Sequence, residues 1–161
     1  SLGSFILSEE LKNTITLEKF LLSQYKFNEH LFLKRKLIKD LARLTFNMHS
    51  AGFSHKDFYL CHILLNLKDK KKPEFYIVDL HQANLNRKVK LYLRIKDLSA
   101  LNFSAPRGII NLTDKLLFYK VYQHKEKFNL YDKFIIWWII KKSQKIFRHE
   151  QKKQKKLQQA V

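Results

Sequence analysis

GFSHKDFYLCHILLNLKDKKKPEFYIVDLH, Gly52 to His81, carries two apolar runs with a polar, proline-bearing segment between them. Ile63, Leu64, Leu65 and Leu67 make the first run and Phe75, Tyr76, Ile77 and Val78 the second, with Lys68 to Pro73 as the connection. Runs of strand length on either side of a turn-forming segment predict a β-hairpin. Antiparallel pairing returns the chain to the end it started from, so Asp57 and Asp79 are expected to share one site. Two carboxylates on one rim suit chemistry on polyanions, one holding a divalent cation and the other taking a hydroxyl proton.

Upstream, Leu37, Leu41, Leu44 and Met48 recur at spacings of four, three and four residues. That is the stripe of an amphipathic helix, read over Leu33 to Ala51 with Gly52 as its stop. Such a helix delivers the following loop from a rigid element. Lys34, Arg35, Lys36, Lys39 and Arg43 are assigned for the most part to its other, solvated faces. Earlier still, Phe5-Ile6-Leu7 reads as a short strand, and Thr16 as the cap of a helix whose apolar face is Leu17, Phe20, Leu21 and Tyr25. Downstream, Asp97 reads as the cap of a short helix over Arg94 to Leu101 and Pro106-Arg107-Gly108 as a turn. Thr113 reads as the cap of a further helix with Asp114 in its first turn. The expected fold is α+β and mainly helical.

His55-Lys56-Asp57 resembles the His-Arg-Asp catalytic loop of protein kinases, and Val78-Asp79-Leu80-His81 stands where their Asp-Phe-Gly is expected. The wider pattern of His55, Asp57, Tyr59, Cys61 and His62, then Asp79, Leu80, His81 and Ala83, is similar to the lipopolysaccharide core kinases of Gram-negative bacteria. That family phosphorylates heptose or 3-deoxy-manno-octulosonic acid in the inner core. The resemblance implies the carboxy-terminal lobe of a protein-kinase-like fold, with the hairpin carrying the catalytic and metal-binding loops. It implies ATP and Mg²⁺, Asp57 as general base, and Asp79 as the ligand bridging the cation to the β- and γ-phosphates. There are two departures: the residue five after Asp57 is His62, where a protein kinase has its metal-binding Asn, and His81 replaces the Gly. A neutral imidazole can take the place of that Asn, although magnesium prefers oxygen. His55 is read as a ring bracing the loop. Lys56 stays open between neutralising the transferred phosphate and a solvated side chain. Tyr59 and Cys61 are assigned to the core beside the loop. The resemblance also sets backbone groups near Glu9 and Leu11 against the adenine edge, with an ordinary strand end as the alternative, and gives Asp97 a second role as a brace beneath the loop.

With 161 residues, 45% of them hydrophobic, the chain can bury one core. Gly3, Gly52 and Gly108 are its only glycines and cannot form a phosphate-gripping G-x-G, so an amino-terminal lobe outside the chain is expected. The organisation expected is a hinge-like strand and linker over 1–12 and the lobe over 13–130, followed by an apolar, tryptophan-bearing helix and basic tail over 131–161. A net charge of +18 points to an anionic partner. Phe134 to Ile140 running into Lys141 and Lys142 turns that towards an anionic membrane surface, against a last core helix with a solvated end. No aromatic RNA-binding motif speaks for specific nucleic acid. Phe134 to Ile140 is too short to cross a bilayer, and a single cysteine, Cys61, allows no intrachain disulfide, as suits a reducing cytoplasm. The expectation is an ATP-dependent kinase of a sugar hydroxyl, cytoplasmic and peripheral to the inner membrane, inactive without its other lobe. A bacterial or atypical protein kinase, and a non-catalytic lobe binding nucleic acid or membrane, are the alternatives.

Overall fold

The computed structural model describes residues 10–23, 31–69 and 72–159. In chain order the described elements are β1 (Thr14–Thr16), α1 (Leu17–Ser23), α2 (Leu31–Ser50), β2 (Phe53–Ser54), β3 (Ile63–Asn66), β4 (Glu74–Ile77), β5 (Asn84–Leu85), α3 (Leu91–Ser104), α4 (Leu112–Gln123) and α5 (Leu130–Gln159). The architecture is α+β and mainly helical. The strand at Phe5-Ile6-Leu7 and the helical position of Tyr25 lie outside the described residues.

The hairpin forms as the sequence predicts. β3 pairs antiparallel with β4, Ile63 opposite Ile77 and Leu65 opposite Phe75. Ile63 and Leu65 are fully buried while Leu64 and Asn66 are half-buried, the two-residue period of a strand with one face on a core. Beneath them α1 and α2 supply Leu17, Phe20, Leu37 and Leu41, and the loop before β3 adds Phe58 and Leu60. β1 joins the free edge of β3 to give the order β1-β3-β4. A second core lies among the helices, where Ala42 of α2 meets Ile95 and Leu98 of α3, Tyr119 and Tyr122 of α4, and Ile135 and Ile139 of α5. Each fully buried aliphatic side chain contributes about 1.5–3 kcal/mol to holding these layers together.

Gly52 stops α2 at φ +85°, and β2 then pairs with β5. A β-carbon at Gly52 would stand 1.8 Å from the Asn86 carbonyl oxygen, and the Asn86 N–H donates to Gly52 O at 2.9 Å. Only glycine fits a turn that is both left-handed and this close to another backbone.

Several local readings are corrected. Lys34 is buried rather than solvated: it stands three residues before Leu37, on the apolar stripe itself, and its ammonium donates to Ile109 O (2.6 Å) and meets Asp114 Oδ2 at 2.5 Å. The cap of α4 is Asn111 rather than Thr113, because Asn111 and Asp114 form a reciprocal capping box, each side chain accepting the other's N–H. Asn129 and Asp132 repeat the arrangement at the start of α5. Asp97 caps nothing: it lies in the middle of α3, fully buried.

Candidate active site

The loop between β2 and β3 is held from below by one carboxylate. Asp97 accepts from the backbone N–H of His55 (3.0 Å) and of Lys56 (2.7 Å), and from His49 Nε2 of α2 (3.2 Å). A buried carboxylate is tolerated when its lone pairs are filled in this way. His49 Nδ1 in turn meets the Tyr122 hydroxyl at 2.8 Å, and burial raises that hydroxyl's pKa to about 12, so it acts as a neutral donor. A line of buried polar contacts therefore runs from α4 through α2 and α3 to the loop. Lys56, half-buried, sits at φ 69°, a strained value for a side chain with a β-carbon, and the Asp97 bond to its N–H holds it there.

His55 is fully buried and ties the two halves of the motif together. Its Nε2–H donates to Val78 O (2.9 Å), which leaves Nδ1 to accept from the Asp57 N–H at 3.3 Å. The residue before Asp79 and the amide of Asp57 thus hang from one ring, as the reading of His55 as a brace requires. Phe58 is the residue that fills the core below. Cys61 departs from expectation: it is exposed, because the tight turn Leu60–His62 points Leu60 inward and turns its neighbour out. Tyr59 is half-buried, edge-on to Phe103 and to His62.

His62 joins the two aspartates. Its Nδ1 lies 2.8 Å from the carbonyl oxygen of Asp57, and its Nε2 lies 3.3 Å from Asp79 Oδ2. A carbonyl only accepts, so Nδ1 carries the proton, and the Nε2 lone pair faces the carboxylate whenever the ring is neutral. Two lone pairs facing each other across 3.3 Å are unfavourable until a proton on Nε2 or a metal ion lies between them. Adjacent donors around a magnesium ion are about 3 Å apart, given metal–oxygen distances of about 2.1 Å, so His62 Nε2 and Asp79 Oδ2 fit such an ion. Among the described residues no three His, Cys, Asp or Glu side chains gather as a metal cluster. The rest of a cation's shell would then be phosphate oxygens and water, the company magnesium ordinarily keeps.

Asp79 itself is left-handed at φ 61° and exposed at the rim, its Oδ1 hydrogen-bonded to His81 Nδ1. The His81 bond, and after it the charges of His81 and His62, hold its carboxyl below the usual range against partial desolvation. Asp57 is about one-third exposed, and its Oδ1 lies 3.9 Å from Lys96 Nζ of α3. Asp57, His55, Lys56, His62 and Asp79 are therefore brought to one end of the hairpin. Leu11 is not among them: Thr14 pairs with Asn66 and Thr16 with Leu64, which puts Leu11 beyond the opposite end of the sheet, exposed, its carbonyl accepting from Thr14 Oγ1. Glu9 lies outside the described residues. Sequence reasoning missed Lys96 and His49. The signal for His49 was present, since Leu41, Thr45 and His49 follow one another at four residues along the buried stripe.

A family model described as lipopolysaccharide kinase (Kdo/WaaP) family matches residues 2–122. The chain is 38% identical over 122 residues to the lipopolysaccharide core heptose(I) kinase WaaP of Escherichia coli, covering 74% of this chain and 46% of that protein. It is 32% identical over 154 residues to the enzyme of the same name from Pseudomonas aeruginosa, covering 92% and 58%. A solved structure of WaaP in complex with acyl carrier protein matches with a TM-score of 0.71 at 31% identity, over 86% of this chain and 59% of that one. The chain spans about half the length of the curated relatives it matches.

Proposed function

The chain belongs to the lipopolysaccharide kinase (Kdo/WaaP) family, and from that premise we propose that it carries the catalytic loop of an ATP-dependent kinase for a heptose hydroxyl of the lipopolysaccharide inner core. The observation that carries the proposal is His62, spanning from the Asp57 carbonyl to the Asp79 carboxylate. In this reading Asp57 orients the acceptor hydroxyl and takes its proton, and Lys96, 3.9 Å away, offers a cation to the arriving phosphoryl group. Asp79 and His62 would hold Mg²⁺, which when bound neutralises charge on the β- and γ-phosphates. His55 and Asp97 move no proton; they fix the distance between base and cation ligand, and a misplacement of about 1 Å there costs on the order of a hundredfold in rate. The backbone near Leu11 would take the adenine, at the far end of the sheet. The four paired positions from Ile63 to Asn66 extend about 10 Å, so the nucleotide would lie lengthwise along the hairpin.

We read the 161 residues as the catalytic-loop lobe, working at the cytoplasmic face of the inner membrane, with weak ATP binding by themselves. The test is a graft: this chain replaces the matching segment of the E. coli relative, and transfer from radiolabelled ATP is followed with heptose-bearing core, with 3-deoxy-manno-octulosonic acid acceptors and with protein offered side by side. Label on heptose, abolished by Asp57→Asn, is expected. Label on protein would favour a protein kinase instead, and full turnover by the ungrafted chain would overturn the lobe assignment.

An acyl carrier protein is proposed as a partner on one further observation. Between α1, α2, α3, α4 and α5 lies a cavity of about 150 Å³ whose wall surface is mostly apolar, with Leu21, Leu41, Leu98 and Ile139 on it and the Lys34–Asp114 pair at one side. Those are the surroundings an acyl chain needs. Thermal stabilisation of the chain by acylated carrier, and none by carrier without the acyl group, tests this.

A further inference from the structure

From α5 we infer that this chain docks on an anionic bilayer through one face of that helix, with its aromatic end at the acyl boundary and its basic end on the headgroups. The inference deepens the proposed reading, whose acceptor is membrane-borne, but it stands on separate observations. Ile135, Ile139 and Ser143 bury the inner side of α5. On the outer side Leu130, Phe134, Trp137 and Trp138 are followed at helical spacing by Lys141, Lys145, Arg148 and Lys152, all within one stripe at 3.6 residues per turn. Leu130 is 82% exposed, Trp137 53%, Phe134 52% and Trp138 43%, a cost that nothing in the described fold offsets. Phe134 packs against both tryptophans, and the Lys141 ammonium lies 5.8 Å from the Trp137 ring centre, so the stripe changes from aromatic to cationic without a gap.

The order of these residues selects the partner. Tryptophan and phenylalanine gathered at one end of a helix, with cations continuing along the same face for about 20 Å beyond, match the boundary between acyl chains and phosphates. A nucleic acid would find no groove here, only the convex side of a single helix, and rings already packed on one another rather than open for stacking. No described helix is long and apolar enough to cross a membrane, so the contact is one of lying on the surface.

Trp137 and Trp138 are the only tryptophans, so the chain's intrinsic emission reports on this face alone. Titration with vesicles of phosphatidylcholine and phosphatidylglycerol in equal parts is expected to shift the emission to the blue and shield it from iodide, whereas phosphatidylcholine alone does neither. Lys141→Gln, Lys145→Gln and Arg148→Gln together should weaken partitioning at least tenfold, and Phe134→Ser with Trp138→Ser should do the same with Trp137 as probe, both with unchanged circular dichroism. Equal binding to neutral vesicles, no binding to either, no loss on charge removal, or the same spectral shift with single-stranded RNA in place of vesicles would each overturn the inference. The graft assay with detergent-dispersed acceptor separates the two claims, since the charge variants should keep phosphoryl transfer there while losing the vesicles.

Discussion

The exposed carboxylate of Asp79 meets two imidazoles, those of His81 and His62. Its pKa lies below the ordinary carboxylate value of 3.8 first because of the His81 hydrogen bond. A depressed folded value means that the bond's contribution is fully present above the unfolded pKa and is lost as pH falls through the lower, folded one. His81→Gln is therefore expected to move the Asp79 titration up towards 3.8, read by carbon NMR of its carboxyl, with the acid limb of the pH–rate profile of the graft moving the same way. His62 allows a sharper test. If its Nε2 shares a cation with Asp79 Oδ2, His62→Asn, which restores an oxygen donor, should keep magnesium-dependent activity, while His62→Ala should raise the magnesium requirement on the order of tenfold or more. Equal loss in both variants would mean that the ring serves only to hold the Asp57 carbonyl. This much of the site was legible because the types and order of His55, Asp57, His62 and Asp79 survive without any knowledge of distance. Lys96 was hidden because an ordinary lysine beside a buried aspartate has no sequence mark.

Among the elements, α2 and α3 act together on the loop, since His49 of α2 and the loop amides meet on Asp97 of α3. Asp97→Asn keeps the shape but turns an NH₂ group towards N–H donors. The amide loses the Lys56 N–H bond if its NH₂ takes the Oδ1 place and those of His55 N–H and His49 Nε2 if it takes the Oδ2 place, which is expected to cost about 1–4 kcal/mol by denaturant unfolding, with faster amide exchange in the His55–Lys56 loop. Lys34 and Asp114 join α2 to α4 at side-chain exposures of 9% and 8%. Lys34→Met leaves the buried Asp114 carboxylate with only the Asn111 N–H and should cost about 3–5 kcal/mol, whereas adding Asp114→Asn should restore part of it, because a neutral amide oxygen can still accept that N–H while the buried charge is gone. Helix α2 and the hairpin were legible as elements because each repeats its period several times. β1 was not, being three residues long, and its pairing with β3 is a long-range contact without local signature. Lys34 reads as solvated by charge alone, but its spacing to Leu37 and Leu41 puts it on the buried stripe. The capping boxes at Asn111 and Asn129 share the spacing Asn-x-x-Asp, a signal that was present and passed over.

For the molecule as a whole the decisive quantity is 32 cations against 14 anions. Folding draws those cations together, and the exposed pairs that oppose this, Lys36 and Arg43 on Asp40, are each worth no more than about 1 kcal/mol. The buried Lys34–Asp114 pair, and to a lesser degree the partly exposed Lys125 on the fully buried Asp132, are screened less than surface charges are. Raising sodium chloride from about 0.01 to about 0.15 M shortens the Debye length from about 30 to about 8 Å. That removes long-range repulsion over most of the surface while leaving the buried contacts in place. Repulsion should therefore dominate the response, and the midpoint of thermal unfolding is expected to rise with salt over this range. Chloride is the anion to use, because phosphate or sulfate can bind the folded site and stabilise by mass action, which would imitate the effect. A midpoint that falls with sodium chloride would show that surface ion pairs carry the fold, and that the excess of lysine exacts no folding penalty that an anionic partner could relieve.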